Sequence, residues 1–262
     1  MYIEINGQQT FVATGGKPFN NNLPCVVLLH GSGLDHRCWA LQARWFAFHG
    51  YSVFAPDLPG HSLSSGEPLT SIEEMGAWLV DALDAVGVKD VHIMGHSQGY
   101  LMALEAAPIL GERMLSLMAL ATAAAIPVNP ALIDTAKADT NKAADMMLQW
   151  GFGSDHQYGV SAVPGMQPIG IGQRIMANNP LAIDLEACNN YVIGNDRAAQ
   201  LNCPVQVVLA EQDRMTPMRE GLKLAKLLGV NPTIIADTGH MLPMEAPKAS
   251  LQAMKQFIQT LN

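Results

Sequence analysis

Val91-His92-Ile93-Met94-Gly95-His96-Ser97-Gln98-Gly99-Tyr100 is the stretch on which the fold turns. Residues 91–94 read as a short buried strand and residues 98–110 as a helix, with Gly95-His96-Ser97-Gln98-Gly99 at the junction. A serine placed there exposes its Oγ only if the backbone turns sharply. Glycines two residues to either side let neighbouring backbones pass that close. The helix that starts behind the serine favours negative charge forming near it. An ordinary glycine-flanked turn with an incidental serine has the same pattern, so the surroundings must decide.

Outward from this turn, strands and helices alternate. Residues 24–29 form a continuous apolar run, as expected of a strand buried on both faces. A helix is expected over 36–48, ended by Gly50, and a short strand over 52–55. Thr70-x-x-Glu73 and Ser71-x-x-Glu74 both match a capping box and open a helix to about Val86. A strand over 115–120 follows the helix at 98–110. After a break the rhythm resumes with strands at 205–209 and 233–236 and helices at 218–228 and 247–261. Such alternation predicts an α/β fold, a mostly parallel sheet with helices on both faces. The break, residues 124–200, reads as helices near 129–150, 170–177 and 181–192 with no strand. The expected organisation is a core from 1–123 and 201–262 with an inserted all-helical cap at 124–200.

Composition narrows the function classes. The 262 residues are 49% hydrophobic and only 15% charged, enough for a large core. A net charge of −8 and the absence of Lys/Arg runs argue against nucleic acid or an anionic membrane surface as partner. The first ten residues lack the basic and apolar regions of a secretory signal. The longest apolar stretch, 114–128, is too short and too interrupted for a membrane span. Cys25, Cys38, Cys188 and Cys203 show no CxxC spacing, which suits free thiols in a cytoplasmic protein. No His/Cys/carboxylate spacing calls for a metal, and no cofactor is expected.

A serine hydroxyl needs a base, and the base needs an orienting acid. His240 follows the last expected strand and Asp213 the one before it, so both fall at the carboxyl edge of the sheet. Ser97, Asp213 and His240 then form a triad in the order Ser, Asp, His. Glu211 is the nearest rival to Asp213, and the strand at 115–120 is followed by alanines and Thr122, which offer no competing acid. His30-Gly31-Ser32-Gly33 is a tight turn after the first buried strand. The backbone N–H of Ser32, with that of Gln98, is the expected oxyanion donor pair.

Together, HGSG at 30–33, DLPGHS at 57–62, GHSQG at 95–99, AEQDRMTP at 210–217 and GHMLPMEAP at 239–247 resemble the α/β-hydrolase superfamily, specifically its small esterase-like members. The resemblance implies hydrolysis of a small-molecule ester through an acyl-enzyme, and a structural role for Asp57. In the turn D-x-x-G-x-G-x-S it places His61 where the middle glycine belongs. Tyr100 stands where many relatives have a small residue. Carbon–carbon hydrolases of ring-fission products share HGSG, but Leu34-Asp35, His96 and Met241 depart from their pattern and favour an esterase. Perhydrolase activity, or a triad-bearing receptor with little turnover, stays open as an alternative. The insert carries seven carboxylates against four cations, which predicts a preference for neutral, short-to-medium esters, with Arg174 or Arg197 as the residues able to bind one carboxylate. Ile126, Leu132, Ile133, Met146, Met147 and Trp150 are its candidate pocket residues, each equally readable as packing.

Overall fold

Every residue of the first buried strand, Cys25–Leu29, is covered, because the sheet has helices on both of its faces. Side chains alternate across a strand. Cys25, Val27 and Leu29 accordingly join one hydrophobic cluster, and Val26 and Leu28 join the other. The computed structural model describes residues 1–157, 161 and 165–261.

In chain order the strands and helices begin with β1 (Tyr2–Ile5) and β2 (Gln8–Ala13), an antiparallel hairpin. Then come β3 (Cys25–Leu29), α1 (Ala40–Ala47), β4 (Ser52–Pro56), α2 (Ile72–Ala85), β5 (Val91–His96), α3 (Gln98–Leu110) and β6 (Met114–Leu120). Among the described residues six helices follow: α4 (Pro130–Ala138), α5 (Thr140–Gly151), α6 (Ser154–Gln157), α7 (Pro168–Met176), α8 (Leu181–Asn190) and α9 (Gly194–Ala199). The chain finishes with β7 (Val205–Ala210), α10 (Met218–Leu228), β8 (Thr233–Ile235), α11 (Leu242–Glu245) and α12 (Pro247–Gln259). The strands form one 8-stranded sheet in the order β1-β2-β4-β3-β5-β6-β7-β8, parallel from β4 to β8. No described helix is long and apolar enough to cross a membrane.

Three local differences from the sequence expectation have clear causes. The hairpin β1–β2 went unread, although Asn6-Gly7 lies between its strands with φ of 51° and 77°, the left-handed pair that a tight hairpin turn requires. The helix expected over 129–150 is two. Asp139 is extended (φ −155°), ending α4, and its side chain accepts from Lys142 N to start α5. In the turn after β4 the left-handed residues are Gly60 (φ 73°) and Ser62 (φ 46°), two apart as the glycines of the turn pattern are. Ser62, not His61, therefore occupies the place of the second glycine.

The two clusters place the helices. Buried side chains of α2, α3 and α10 share one cluster with the sheet; those of α1 and α12 share the other. Residues from the helices between β6 and β7 belong to these same clusters. Leu132, Met147, Ile175, Leu181 and Leu185 lie in the second, and Ala187, Cys188, Tyr191 and Ala198 in the first.

Candidate active site

The loops leaving β3, β5, β7 and β8 meet at one edge of the sheet, the carboxyl ends where open α/β sheets place their crevices. Ser97 is the N-cap of α3, with φ 52° and ψ −119°. Its backbone is held from both sides: Ser97 N donates to Leu120 O (3.0 Å), and Thr122 Oγ1 donates to Ser97 O (3.0 Å). The flanking glycines are dictated by close approach. A Cβ on Gly95 would lie 2.5 Å from the Tyr100 backbone, and one on Gly99 2.5 Å from the Leu29 carbonyl oxygen.

His240 and Asp213 arrive on neighbouring loops. Asp213 Oδ2 accepts from His240 Nδ1 at 2.8 Å, and both side chains are almost wholly buried. A carboxylate only accepts, so Nδ1 carries the proton and Nε2 is left as the basic nitrogen. Asp213 Oδ1 accepts from Met215 N (2.9 Å) and Thr216 N (2.8 Å), which wraps the loop around the carboxylate. Glu211 turns elsewhere: its Oε2 accepts from Asp237 N (3.0 Å).

Ser97, His240 and Ser32 line one cavity of about 460 Å³. Its apolar walls include Leu132, Met147 and Trp150 from the helices between β6 and β7, and Met215 and Met241 from the loops beside the sheet. Ile126 also lines it, whereas Ile133 and Met146 pack away from it, in or against the second cluster. Tyr100 does not line the cavity; it is fully buried in the first cluster. Burial there pushes its hydroxyl far above the usual tyrosine range. Arg174 is exposed on α7, and Arg197 donates from Nε to Glu105 Oε1 (2.9 Å). Neither faces the cavity; Arg214 does.

Four residues without an assigned role tie these loops together. His96 Nε2 donates to the His240 carbonyl oxygen (2.8 Å), which links the serine turn to the histidine loop. Burial, reinforced by the His240 charge, pushes His96 down to about 3, so its ring is neutral. Glu245 Oε1 accepts from Gly239 N (3.0 Å) and Gly153 N (2.7 Å), and burial raises its carboxyl above the usual range. On the Ser32 side, Asp184 Oδ2 accepts from Gly33 N (2.7 Å) and from His61 Nε2 (3.0 Å). Gln98 N begins α3 directly after Ser97, and its side chain lies 3.5 Å from the Asp184 carbonyl oxygen.

Asp35, His36 and Asp57 bring potential metal-ligand atoms within 4.8 Å of one another. Both carboxylates already have partners. Arg37 pairs with Asp35, while His36 donates to Asp57 from both N (2.9 Å) and Nδ1 (2.8 Å). Asp57 Oδ2 also accepts from Leu63 N (3.3 Å), so it organises the turn after β4.

Residues 26–253 match the family described as "Alpha/beta hydrolase family". Among curated proteins, the chain is 23% identical over 246 residues to 3-oxoadipate enol-lactonase 1 of Acinetobacter baylyi, covering 92% of this chain and 90% of that protein. It is 24% identical over 244 residues to (E)-2-((N-methylformamido)methylene)succinate hydrolase of the same organism, covering 90% of each. The solved enol-lactonase from Burkholderia xenovorans LB400 superposes with a TM-score of 0.87 at 20% identity, over 99% of this chain and 100% of that one, a likeness of fold.

Proposed function

Because the chain belongs to the alpha/beta hydrolase family, we propose that it is a serine hydrolase of small-molecule carboxylic esters, lactones included. Ser97 Oγ attacks the ester carbonyl while His240 Nε2 takes its proton. The Ser32 and Gln98 N–H groups stabilise the oxyanion, and Asp213 holds the imidazole and balances its charge. The alkoxide leaves with the proton from His240, and water enters by the same route to release the acid. The chemistry needs only groups of this chain and water. In this reading residues 124–200 act as a cap that roofs the cavity and keeps it dry.

The observation that carries the proposal is the buried His240–Asp213 pair opening onto the same cavity as a serine on a strained strand-to-helix turn. The relative named an enol-lactonase acts on an internal ester, which supports the ester over the carbon–carbon reading.

The test is twofold. Ser97→Ala is expected to abolish ester turnover and fluorophosphonate labelling while the circular dichroism spectrum is kept. Asp213→Asn is expected to lose about 10⁴-fold in kcat, and Glu211→Gln to stay near wild type. Labelling of the Ser97→Ala variant, or a crippled Glu211→Gln beside a healthy Asp213→Asn, would refute the assignment. A ring-fission product cleaved faster than every ester would move the reaction to carbon–carbon hydrolysis.

A further inference from the structure

Two neighbouring side chains of the loop after β7 give the cavity a polarity that the whole-chain charge conceals. We propose that Arg214 and Thr216 receive a carboxylate carried by the substrate, so that the preferred substrates are short esters or lactones bearing one free carboxylate. This rests on reading the cavity as the ester-hydrolysing site, and it replaces the expectation of neutral substrates drawn from the insert's acidity.

Among the described residues lining the cavity, Arg214 is the one Lys or Arg, and no Asp or Glu lines it. The insert's surplus of carboxylates acts over distances at which salt screens it. Arg214 is itself exposed, but as part of the cavity lining its guanidinium acts at contact distance rather than across the solvent. Arg214 is also held in place. The turn around Asp213 Oδ1 fixes the backbone on either side, and Arg214 Nη2 donates to the Gln149 carbonyl oxygen in the last turn of α5. That bond uses one of five guanidinium donors, and no carboxylate pairs with Arg214 among the described residues. Its neighbour Asp213 has committed its oxygens to His240 and to two backbone N–H groups.

Thr216 is the second, independent sign. It is 6% exposed and lines the cavity, and among the described residues its Oγ1 has no hydrogen-bond partner. Buried hydroxyls are rarely left unpaired; this one has almost no accessible surface as placed, and the proposed contact is made by a χ1 rotation toward the entering carboxylate. A carboxylate supplies two acceptor oxygens, one for the guanidinium and one for the hydroxyl.

The experiment compares monoethyl succinate with ethyl butyrate, and monoethyl adipate with ethyl hexanoate, at low salt. In the wild type the carboxylated member of at least one pair is expected to have a tenfold or greater advantage in kcat/KM. Arg214→Gln should reduce that ratio at least tenfold, mainly through KM, with partial recovery in Arg214→Lys. Thr216→Val should reduce it about threefold, and Arg174→Gln, outside the cavity, should leave it unchanged. A wild-type preference for the neutral esters overturns the proposal. So does an Arg214→Gln variant that slows both members equally, since Arg214 would then serve only α5. Neutral esters hydrolysed with an unaltered ratio would sink the carboxylate assignment alone. Failure to hydrolyse any ester would sink the underlying function as well.

Discussion

Ser97 and His96 are adjacent in the chain and are kept for opposite reasons. Ser97 holds a left-handed backbone that costs on the order of 1–3 kcal/mol, a strain typical of functional turns. His96 is a buried spacer whose neutral ring holds the carbonyl of His240. Its depressed pKa has a stability consequence. With the folded value at about 3 and an unfolded value near 6.5, the contribution is complete above pH 6.5 and is lost as pH falls toward 3. Between pH 7.5 and 5.5 His96 is expected to cost the wild type about 1.4 kcal/mol of unfolding free energy. His30, also depressed by burial, adds to this loss, and His61, whose pKa is raised, opposes it. The check is therefore a difference: urea unfolding at the two pH values should show a smaller acid loss in His96→Gln than in the wild type. Equal losses would mean that His96 titrates normally. The sequence marked His96 only as a departure from the carbon–carbon hydrolase pattern; its tie to the histidine loop left no local trace, because its partner is a carbonyl 144 residues away.

At the scale of elements, α8 acts on a loop that lies far from it in sequence. Its Asp184 joins the Gly33 N–H to His61, and Asn179 just before the helix donates to the carbonyls of Gly33 and Leu34 (both 3.0 Å). Both ring nitrogens of His61 face acceptors: Nδ1 lies 3.0 Å from the Pro59 carbonyl oxygen, and Nε2 lies 3.0 Å from Asp184. Only the imidazolium donates from both. The pair is stabilising in a window. Asp184, whose pKa is lowered, contributes above the unfolded carboxylate value and loses this on acidification. His61, whose pKa is raised, contributes fully below about 6.5 and loses this as pH rises through its folded value. Asp184→Asn is expected to lower stability at neutral pH by about 3 kcal/mol, as removal of one partner of a buried pair does. A urea midpoint displaced by less than the equivalent of about 1 kcal/mol would show that the network relaxes without it. The elements themselves were largely legible. Periodicity and caps revealed the parallel strands and their helices, and Asn6-Gly7 carried a hairpin signal that went unread. The Asp184–His61 contact spans 123 residues and leaves no local trace.

The sheet and the helices between β6 and β7 share two cores, so those helices have no hydrophobic cluster to themselves among the described residues. Residues that bury their surface against one another lose it together, which predicts a single cooperative unfolding transition. Three buried cysteines report on this: Cys25 and Cys38 in the sheet and its first flanking helical turn, and Cys188 on α8. Burial raises the Cys25 and Cys188 thiols to about 12, so neither should react while folded. Pulse alkylation across a urea series, read by peptide mapping, should expose all three at the same denaturant concentration. Labelling of Cys188 well before Cys25 would show that the insert opens as a separate unit.

The sequence by itself determined the alternation of strands and helices, the serine turn at 95–99, and the positions of Asp213 and His240 after successive strands. These depend on neighbours in the chain, through side-chain period, turn chemistry and steric room. It also sets the long-range charge, from which neutral substrates are the expectation. Only the tertiary structure decided which charged group meets the cavity. Arg174 and Arg197 lie on helices whose exposed or Glu105-paired faces turn from it, while Arg214 is carried to it by the loop that presents Asp213. The reason is physical: local backbone preferences act over a few residues, whereas the direction of a long side chain is set by whatever packs around it in three dimensions.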